Sequence, residues 1–151
     1  MTEALDIYDQ SILQAISADG RITVTELANR INLSKSPTQA RLKRLENSGY
    51  INGYKAQLNP AKLGLAQVGF VEIKLQDTQE GALQAFNTSI KSIDEVEQCH
   101  LITGRFDYLL KIRASSVPNF RKILSDKIAS LPNVSHTSTH LVMDAVKENT
   151  F

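Results

Sequence analysis

The stretch Ser34–Gly49, SKSPTQARLKRLENSG, carries the pattern from which the rest of the chain can be interpreted. It predicts a single helix, and the side chain of Ser34 can cap the N-terminus of that helix. Pro37 lies in the first turn, where a missing backbone N–H costs nothing. Gly49 predicts the end of the helix, because glycine readily adopts the left-handed conformation found there.

The predicted helix has an apolar side and a basic side. At about 100° per residue, Thr38, Leu42 and Leu45 share one face. The remaining surface carries small, amide and basic side chains: Lys35, Ser36, Gln39, Ala40, Arg41, Lys43 and Arg44. A helix of this kind can rest on a core and enter a DNA major groove. An ordinary surface helix with a solvated basic face would show the same pattern.

Composition limits the classes of protein that are possible. The 151 residues are 42% apolar and 22% charged, which is typical of a folded domain, and the net charge is only +1. Affinity for nucleic acid would therefore have to come from a local basic patch. A single cysteine excludes an internal disulfide and suits a reducing compartment. Without a long apolar run or a signal-peptide pattern, we expect a soluble cytoplasmic protein with no membrane partner.

Two further helices are predicted before this stretch. Asp6 can cap a helix from Ile7 to about Ala18. The run Thr23–Glu26 has the form of a capping box, and it predicts a short second helix that extends to Ile31. Two short helices joined by about three residues, the second longer and basic, form a helix-turn-helix pattern.

The segment after Gly49 predicts a β-hairpin. Asn52-Gly53 lies between β-forming residues in the run 50–58, and both residues tolerate positive φ. A hairpin directly after a recognition helix would be a wing, with Lys55 able to contact phosphate. The alternative is that the segment is only a connector.

The remaining two thirds of the chain predict a second domain of mixed α and β structure. Turn residues at 59–65 place the boundary there. The predicted elements are a strand at Gln67–Gln76, a helix at Glu80–Ile93, strands at Glu95–Thr103 and Phe106–Ala114, a helix at Ser116–Leu131 and a strand at Val134–Val146. The order βαββαβ predicts a ferredoxin-like sandwich with both helices on one face of a four-stranded antiparallel sheet.

The open face of that sheet would expose apolar side chains such as Phe70, Leu101 and Leu109. Pairing with an identical face of a second copy is the simplest way to cover them. The alternative is that they pack under local loops.

Several motifs, in the same order along nearly the whole chain, resemble the Lrp/AsnC (feast/famine) family of bacterial and archaeal regulators. They are DGRITVTELANRINLSKSP at 19–37, RLKRLENSGYINGYKAQLNP at 41–60, VGFVEIKL at 68–75, the residues 98–101, ITGRFDYLLKIR at 102–113 and HLVMDAVKE at 140–148. The resemblance implies an α+β protein with a winged helix-turn-helix DNA-binding domain at 1–58, a linker at 59–65 and a ligand-sensing, oligomerising (RAM) domain at 66–151. It also implies homodimers that assemble into octamers or other higher oligomers.

In the regulators that this chain resembles, the turn at 102–108 lines an effector pocket, commonly for an amino acid, at a subunit interface. The resemblance places the strand hydroxyls nearby, and the expected effector-binding residues are Thr103, Gly104, Arg105, Asp107, Tyr108, Thr137, Ser138 and Thr139. A glycine in the turn would let a ligand approach free backbone groups. A plain hairpin turn beside a polar strand edge is the alternative.

Arg105 departs from the family pattern, in which many members carry an acidic residue after this glycine. An arginine would attract a carboxylate. We therefore hypothesise that the effector carries an extra acidic group, or that this site recognises its ligand differently from leucine-responsive relatives.

The expected function is a sequence-specific DNA-binding transcriptional regulator of amino-acid or related metabolism. The predicted DNA contacts are Gln39 and Lys43 on base edges, Ser36 adaptable to either base, Ala40 within the interface, and Lys35, Arg41, Arg44 and Lys55 on phosphates. Two classes of protein remain as alternatives. One is an architectural, nucleoid-type DNA-binding protein, and the other is a sirohaem decarboxylase that shares the two-part architecture.

No other motif supports catalysis, a cofactor or a metal. Cys99 and His100 are adjacent on a predicted strand and would point to opposite faces, while His136 and His140 are too far apart for comfortable chelation. We interpret the histidines as structural. Neither a phosphate-binding glycine loop nor a catalytic-triad motif is found, so we expect no enzyme activity and no cofactor.

Overall fold

The computed structural model describes residues 4–148, which form two compact units, 4–57 and 58–148. The first unit contains α1 (Ile7–Ala18), α2 (Val24–Arg30) and α3 (Lys35–Asn47). The second unit contains β1 (Gln67–Leu75), α4 (Glu80–Ile90), β2 (Val96–Leu101), β3 (Tyr108–Ala114), α5 (Val117–Ile123) and β4 (Val134–Leu141). No helix among the described residues is long and apolar enough to cross a membrane.

The starts of the first two helices confirm the predicted capping. The Asp6 side chain accepts a hydrogen bond from Asp9 N–H at 2.9 Å, and Asp9 accepts one from Asp6 N–H in return. Thr23 and Glu26 form the predicted capping box at the start of α2. At α3 the prediction holds for position but not for chemistry, since Ser34 occupies the N-cap without a side-chain capping bond. Its carbonyl accepts from the Thr38 hydroxyl instead.

Apolar faces of the three helices form the core of the first unit. The buried members are Ile12, Ala15, Leu27, Ile31 and Leu45, with Leu42 packed against them. Asn32 links α2 to α3 with φ +56°, a left-handed conformation that asparagine tolerates. The first unit is therefore the predicted helix-turn-helix arrangement.

The predicted β-hairpin at 50–58 is wrong. Residues 51–59 contain no strand, and Gly53 has positive φ while Asn52 does not. A type I′ turn requires positive φ at both positions, so the Asn-Gly pair does not close a hairpin. Tertiary contacts hold the segment instead: Ile51 packs on the helical core, and the Tyr54 hydroxyl donates to Glu46 at 2.8 Å.

The second unit is the predicted sandwich. Its antiparallel sheet has the order β2-β3-β1-β4, with α4 and α5 packed on one face. Phe86 of α4 lies 4.5 Å, between ring centroids, from Tyr108 of β3. The buried residues of the strands alternate, as a sheet covered on one face requires.

Several elements end at residues that differ from the predicted ones. The helix α4 ends at Ile90, and the last strand at Leu141. The connection between β2 and β3 covers 102–107 instead of a two-residue turn. After Ile123, α5 continues as a π-helical turn at Leu124–Ile128, whose additional residue turns Ile128 into the core.

Strand register corrects one predicted surface residue. Phe70 and Leu109 lie on the open face, as predicted, because their neighbours along each strand face the helices. Leu101 is paired with buried Tyr108 and therefore shares the helix side, where it is exposed at the sheet edge.

Candidate DNA-binding and effector sites

The helix α3 presents one exposed surface and one flank that is tied to α1. Its buried positions are Thr38 and Leu45. The exposed positions include all of Lys35, Ser36, Gln39, Ala40 and Lys43. In the part of the chain that the structure describes, the side chains of Gln39 and Lys43 make no hydrogen bond or ion pair, which leaves them available to a ligand.

Arg41 and Arg44 are placed differently from the prediction that they hold phosphates. Arg41 Nη1 lies 2.6 Å from Asp6 Oδ2 and 2.9 Å from Asp9 Oδ1. Arg44 Nη2 lies 2.5 Å from Asp9 Oδ2. The Arg41 guanidinium also stacks on the Tyr8 ring, 5.4 Å from its centroid. Both arginines are thus engaged inside the helical unit.

Asp9 is the centre of this network. Only 1% of its side chain is exposed. The hydrogen bond from the Asp9 backbone and the nearby Arg41 guanidinium outweigh desolvation and lower the pKa of Asp6. The sequence interpretation missed this network, although a signal was present: two acids three residues apart, at the N-cap and in the first turn of α1, match two arginines three residues apart in α3.

Lys55 is exposed in the irregular segment that follows α3. Lys55 therefore does not lie on the predicted hairpin. A phosphate contact by Lys55 stays a prediction.

The predicted effector residues do not form one surface. Thr103, Gly104 and Arg105 are exposed in the β2–β3 connection, where Gly104 has φ +129°. Thr137 and Thr139 pair with buried residues of β1 and face the helix side, while Ser138 pairs with Glu72 and faces the open side. Alternation along the strand therefore separates Ser138 from its two threonine neighbours.

Tyr108 is corrected by the structure. Its side chain is 2% exposed, packs on Phe86 and donates from its hydroxyl to Asn87 Oδ1 at 2.9 Å. Burial is the main cause that raises the pKa of this phenol. Tyr108 is a core residue, and it is not exposed beside the turn.

Asp107 holds the turn against β1. Its carboxylate accepts from Leu75 N–H at 2.8 Å and from Lys74 Nζ at 2.9 Å. Burial alone would raise the pKa of Asp107, but these two donors outweigh it and the pKa is lowered. Each carboxylate oxygen therefore already accepts one hydrogen bond from β1. A role of Asp107 in effector binding stays a prediction.

The β2–β3 connection contacts the beginning of β4, next to the end of β1. Phe106 stacks on His136 with ring centroids 6.3 Å apart, and the Arg105 guanidinium lies 5.7 Å from the Phe106 ring centroid. This brings the exposed turn and the Thr137 end of β4 to the same end of the sheet. The stack gives His136 a packing contact, and residues 4–148 contain no group of three or more metal-ligand side chains close enough to hold an ion.

Comparisons with known proteins assign a domain family to each of the two units. Residues 5–52 match the family model for winged helix-turn-helix DNA-binding domains, and residues 68–150 match that for the Lrp/AsnC ligand binding domain.

Curated relatives match over nearly the whole chain. A proline dehydrogenase transcriptional activator of Rhizobium radiobacter is 54% identical over 97% of this chain and 94% of its own length. A protein of the same description from Rhodobacter capsulatus is 46% identical over 98% and 96%. The leucine-responsive regulatory protein of Escherichia coli is 41% identical over 96% and 88%.

Solved structures show the same architecture. A transcriptional regulator of Neisseria meningitidis in complex with L-methionine superimposes with a TM-score of 0.92 at 32% identity, covering 97% of this chain and 95% of that one. With its helix-turn-helix unit, its four-stranded sandwich and both family matches, the chain belongs to the Lrp/AsnC family of effector-modulated, DNA-binding transcriptional regulators.

Proposed function

We propose that α3 reads operator DNA in the major groove through Gln39 and Lys43. Ser36 can bond to more than one kind of base, and the small side chain of Ala40 lets the helix approach the DNA closely. The observation that carries this assignment is the division of α3 into an exposed surface and a flank held by α1. Lys35 and Lys55 are exposed cations on either side of that surface along the chain, so we assign them to phosphates. Arg41 and Arg44 are not assigned to phosphates.

The test compares Gln39→Ala and Lys43→Gln with Lys91→Gln, which removes an exposed cation beyond the end of α4. Fluorescence anisotropy would measure binding to a duplex selected from a random pool and to a random duplex. We expect the first two variants to lose about 1–3 kcal/mol on the selected duplex and to relax preference at one base position each. Equal losses on both duplexes would contradict base reading, and Lys91→Gln should bind like wild type.

An architectural DNA-binding protein is distinguished by the same measurement. Such a protein would bind random duplex as tightly as selected duplex. The curated relatives described above are regulators of transcription, which supports the sequence-specific function. The sirohaem decarboxylase alternative has no support from these relatives.

We further propose that two copies pair through the open sheet face and that such dimers assemble into octamers or other higher oligomers. Phe70 and Leu109 are half-buried there, beside ion pairs of Lys111 and Arg113 with Glu97. A mixed apolar and charged face can bury area and also fix the register of two identical partners. Leu109→Lys should shift sedimentation towards monomer. Leu63→Lys, at a position that is 60% exposed outside the sheet, should not.

For the effector we propose proline, bound at the turn that carries Arg105. The two relatives named as activators of proline dehydrogenase support control of a proline dehydrogenase gene, and proline is the substrate of that enzyme. Arg105 is exposed, and its guanidinium can donate hydrogen bonds to the proline carboxylate.

Calorimetry with proline, glutamate, aspartate, leucine and methionine tests the assignment. We expect proline to bind most tightly and Arg105→Ala to weaken it. Tightest binding by a dicarboxylic acid would instead support the hypothesis of an extra acidic group. Unchanged affinity in Arg105→Ala would remove Arg105 from the site.

A further inference from the structure

We propose that Asp9 is a positioning residue for DNA recognition, which keeps Arg41 and Arg44 of α3 away from DNA phosphates. Held in this way, α3 would discriminate between sequences through its exposed polar side chains instead of binding any duplex through two additional cations. The inference rests on the proposed DNA-binding surface of α3.

The two arginines occupy one flank of α3. At about 100° per residue they are separated by about 60°, and Lys43 and Ser36 lie on the far side of the helix from the buried Thr38. Both are fixed to the same carboxylate, at 2.9 Å and 2.5 Å. Two attachment points one turn apart set the rotation of α3 about its axis, and therefore which side chains it presents.

The carboxylate is far more buried than its partners. The Asp9 side chain is 1% exposed, whereas Arg41 is 28% and Arg44 is 40% exposed. Each arginine therefore lies at the boundary between protein and solvent, where a DNA phosphate could compete for it. Coulomb attraction is stronger at the buried carboxylate than at a hydrated phosphate, because the surroundings of Asp9 screen charge less than water does. The arginines are therefore expected to remain on α1.

Asp9 has a third contact that orients it. Its Oδ2 accepts from Asp6 N–H at 3.2 Å, while Asp6 itself accepts from Asp9 N–H and from Arg41. The capping box at the start of α1 thus orients the Asp9 carboxylate, and this carboxylate holds α3 through Arg41 and Arg44. An asparagine at position 9 would keep the size of the side chain and remove its charge.

The experiment measures full-length Asp9→Asn by fluorescence anisotropy on the selected duplex and on a random duplex over a range of salt concentrations. Each arginine released to a phosphate should steepen the salt dependence, log K against log salt, by about 0.9. It should also tighten binding to random DNA by up to roughly tenfold. The ratio of selected to random affinity should fall. A purely structural role for Asp9 predicts that both affinities fall with an unchanged salt slope, which would overturn the proposal.

Two further variants complete the test. Asp9→Asn/Arg44→Gln has one fewer arginine to release, so the increase in salt slope should shrink. If circular dichroism shows that Asp9→Asn does not fold, Arg44→Gln in the wild-type background provides the test. An arginine that is kept away from phosphates can be removed without changing the salt slope, and a slope shallower by about 0.9 would overturn the proposal.

Lys43→Gln in the wild-type background separates this inference from the proposed function. If it leaves binding unchanged, the assigned DNA surface of α3 is wrong. If it weakens binding to the selected duplex while Asp9→Asn leaves the salt slope unchanged, only the role of Asp9 is wrong.

Discussion

Gly69 lies where β1 passes beneath α5, and replacing it with alanine should destabilise the sandwich. A Cβ added at position 69 would lie 2.6 Å from Phe120 Cε2 and closer still to Cζ, with Leu141 Cδ2 at 3.3 Å. Carbon atoms in contact are normally about 3.5–4.0 Å apart. Phe120 is 1% exposed, so its ring cannot move away without displacing other core side chains.

Overpacking of this kind costs about 1–3 kcal/mol. Alanine recovers roughly 0.5–1 kcal/mol, because glycine loses more conformational freedom on folding. With the middle of both ranges, the net expectation for Gly69→Ala is a loss of about 1 kcal/mol in the free energy of unfolding. For a unit of this size, that lowers Tm by roughly 4–8 °C.

Thermal and urea unfolding, followed by circular dichroism, would measure the loss. Gly81→Ala is the matched control, since Gly81 lies in α4 with no atom within 4 Å of an added Cβ. It should stabilise the chain by roughly 0.4–1 kcal/mol. In a Phe120→Leu background the side chain lacks the outer ring atoms, so the penalty at position 69 should shrink. An equal penalty in both backgrounds, or no penalty at all, would refute the steric explanation.

Two predictions concern titratable groups of the second unit. The lowered pKa of Asp107 means that its carboxylate stabilises the fold above its ordinary pKa of 3.8, and that this contribution is lost as pH falls through the lowered value. Asp107→Asn should therefore lower Tm at neutral pH, while the difference from wild type disappears in strong acid; a constant difference at all pH values would contradict it. Burial raises the pKa of Cys99 from 9.0 to about 11. Iodoacetamide at mildly alkaline pH should alkylate the folded chain about 100-fold more slowly than the urea-unfolded chain, and equal rates would show that the thiol is not protected.

Local patterns were sufficient where short-range chemistry sets the structure. The capping residues Asp6 and Thr23 indicated the starts of α1 and α2, because a cap involves only the next three residues. The apolar spacing of α3 indicated which face is buried. Alternation along β1 indicated a strand covered on one side, and the order of elements was enough to predict the sandwich.

Local patterns failed where a distant partner decides the conformation. Asn52-Gly53 has the turn chemistry of a hairpin, yet the packing of Ile51 and the bond from Tyr54 to Glu46 hold that segment in an irregular path. The predicted effector residues come from two short segments that the family resemblance places near each other. Strand pairing decides which face each side chain takes, and it places Tyr108 in the core and Ser138 opposite its neighbours.

What the sequence by itself determined is the kind of protein: a helix-turn-helix unit with a basic helix, followed by a four-stranded sandwich, in the collinear motifs of the Lrp/AsnC family. What only the tertiary structure decided is which of the basic side chains on that helix are held in ion pairs within the chain. Arg41 and Arg44 are separated from Asp9 by more than 30 positions along the chain. An ion pair over that distance depends on how α1 packs against α3, so it cannot be inferred from the helix that carries the arginines.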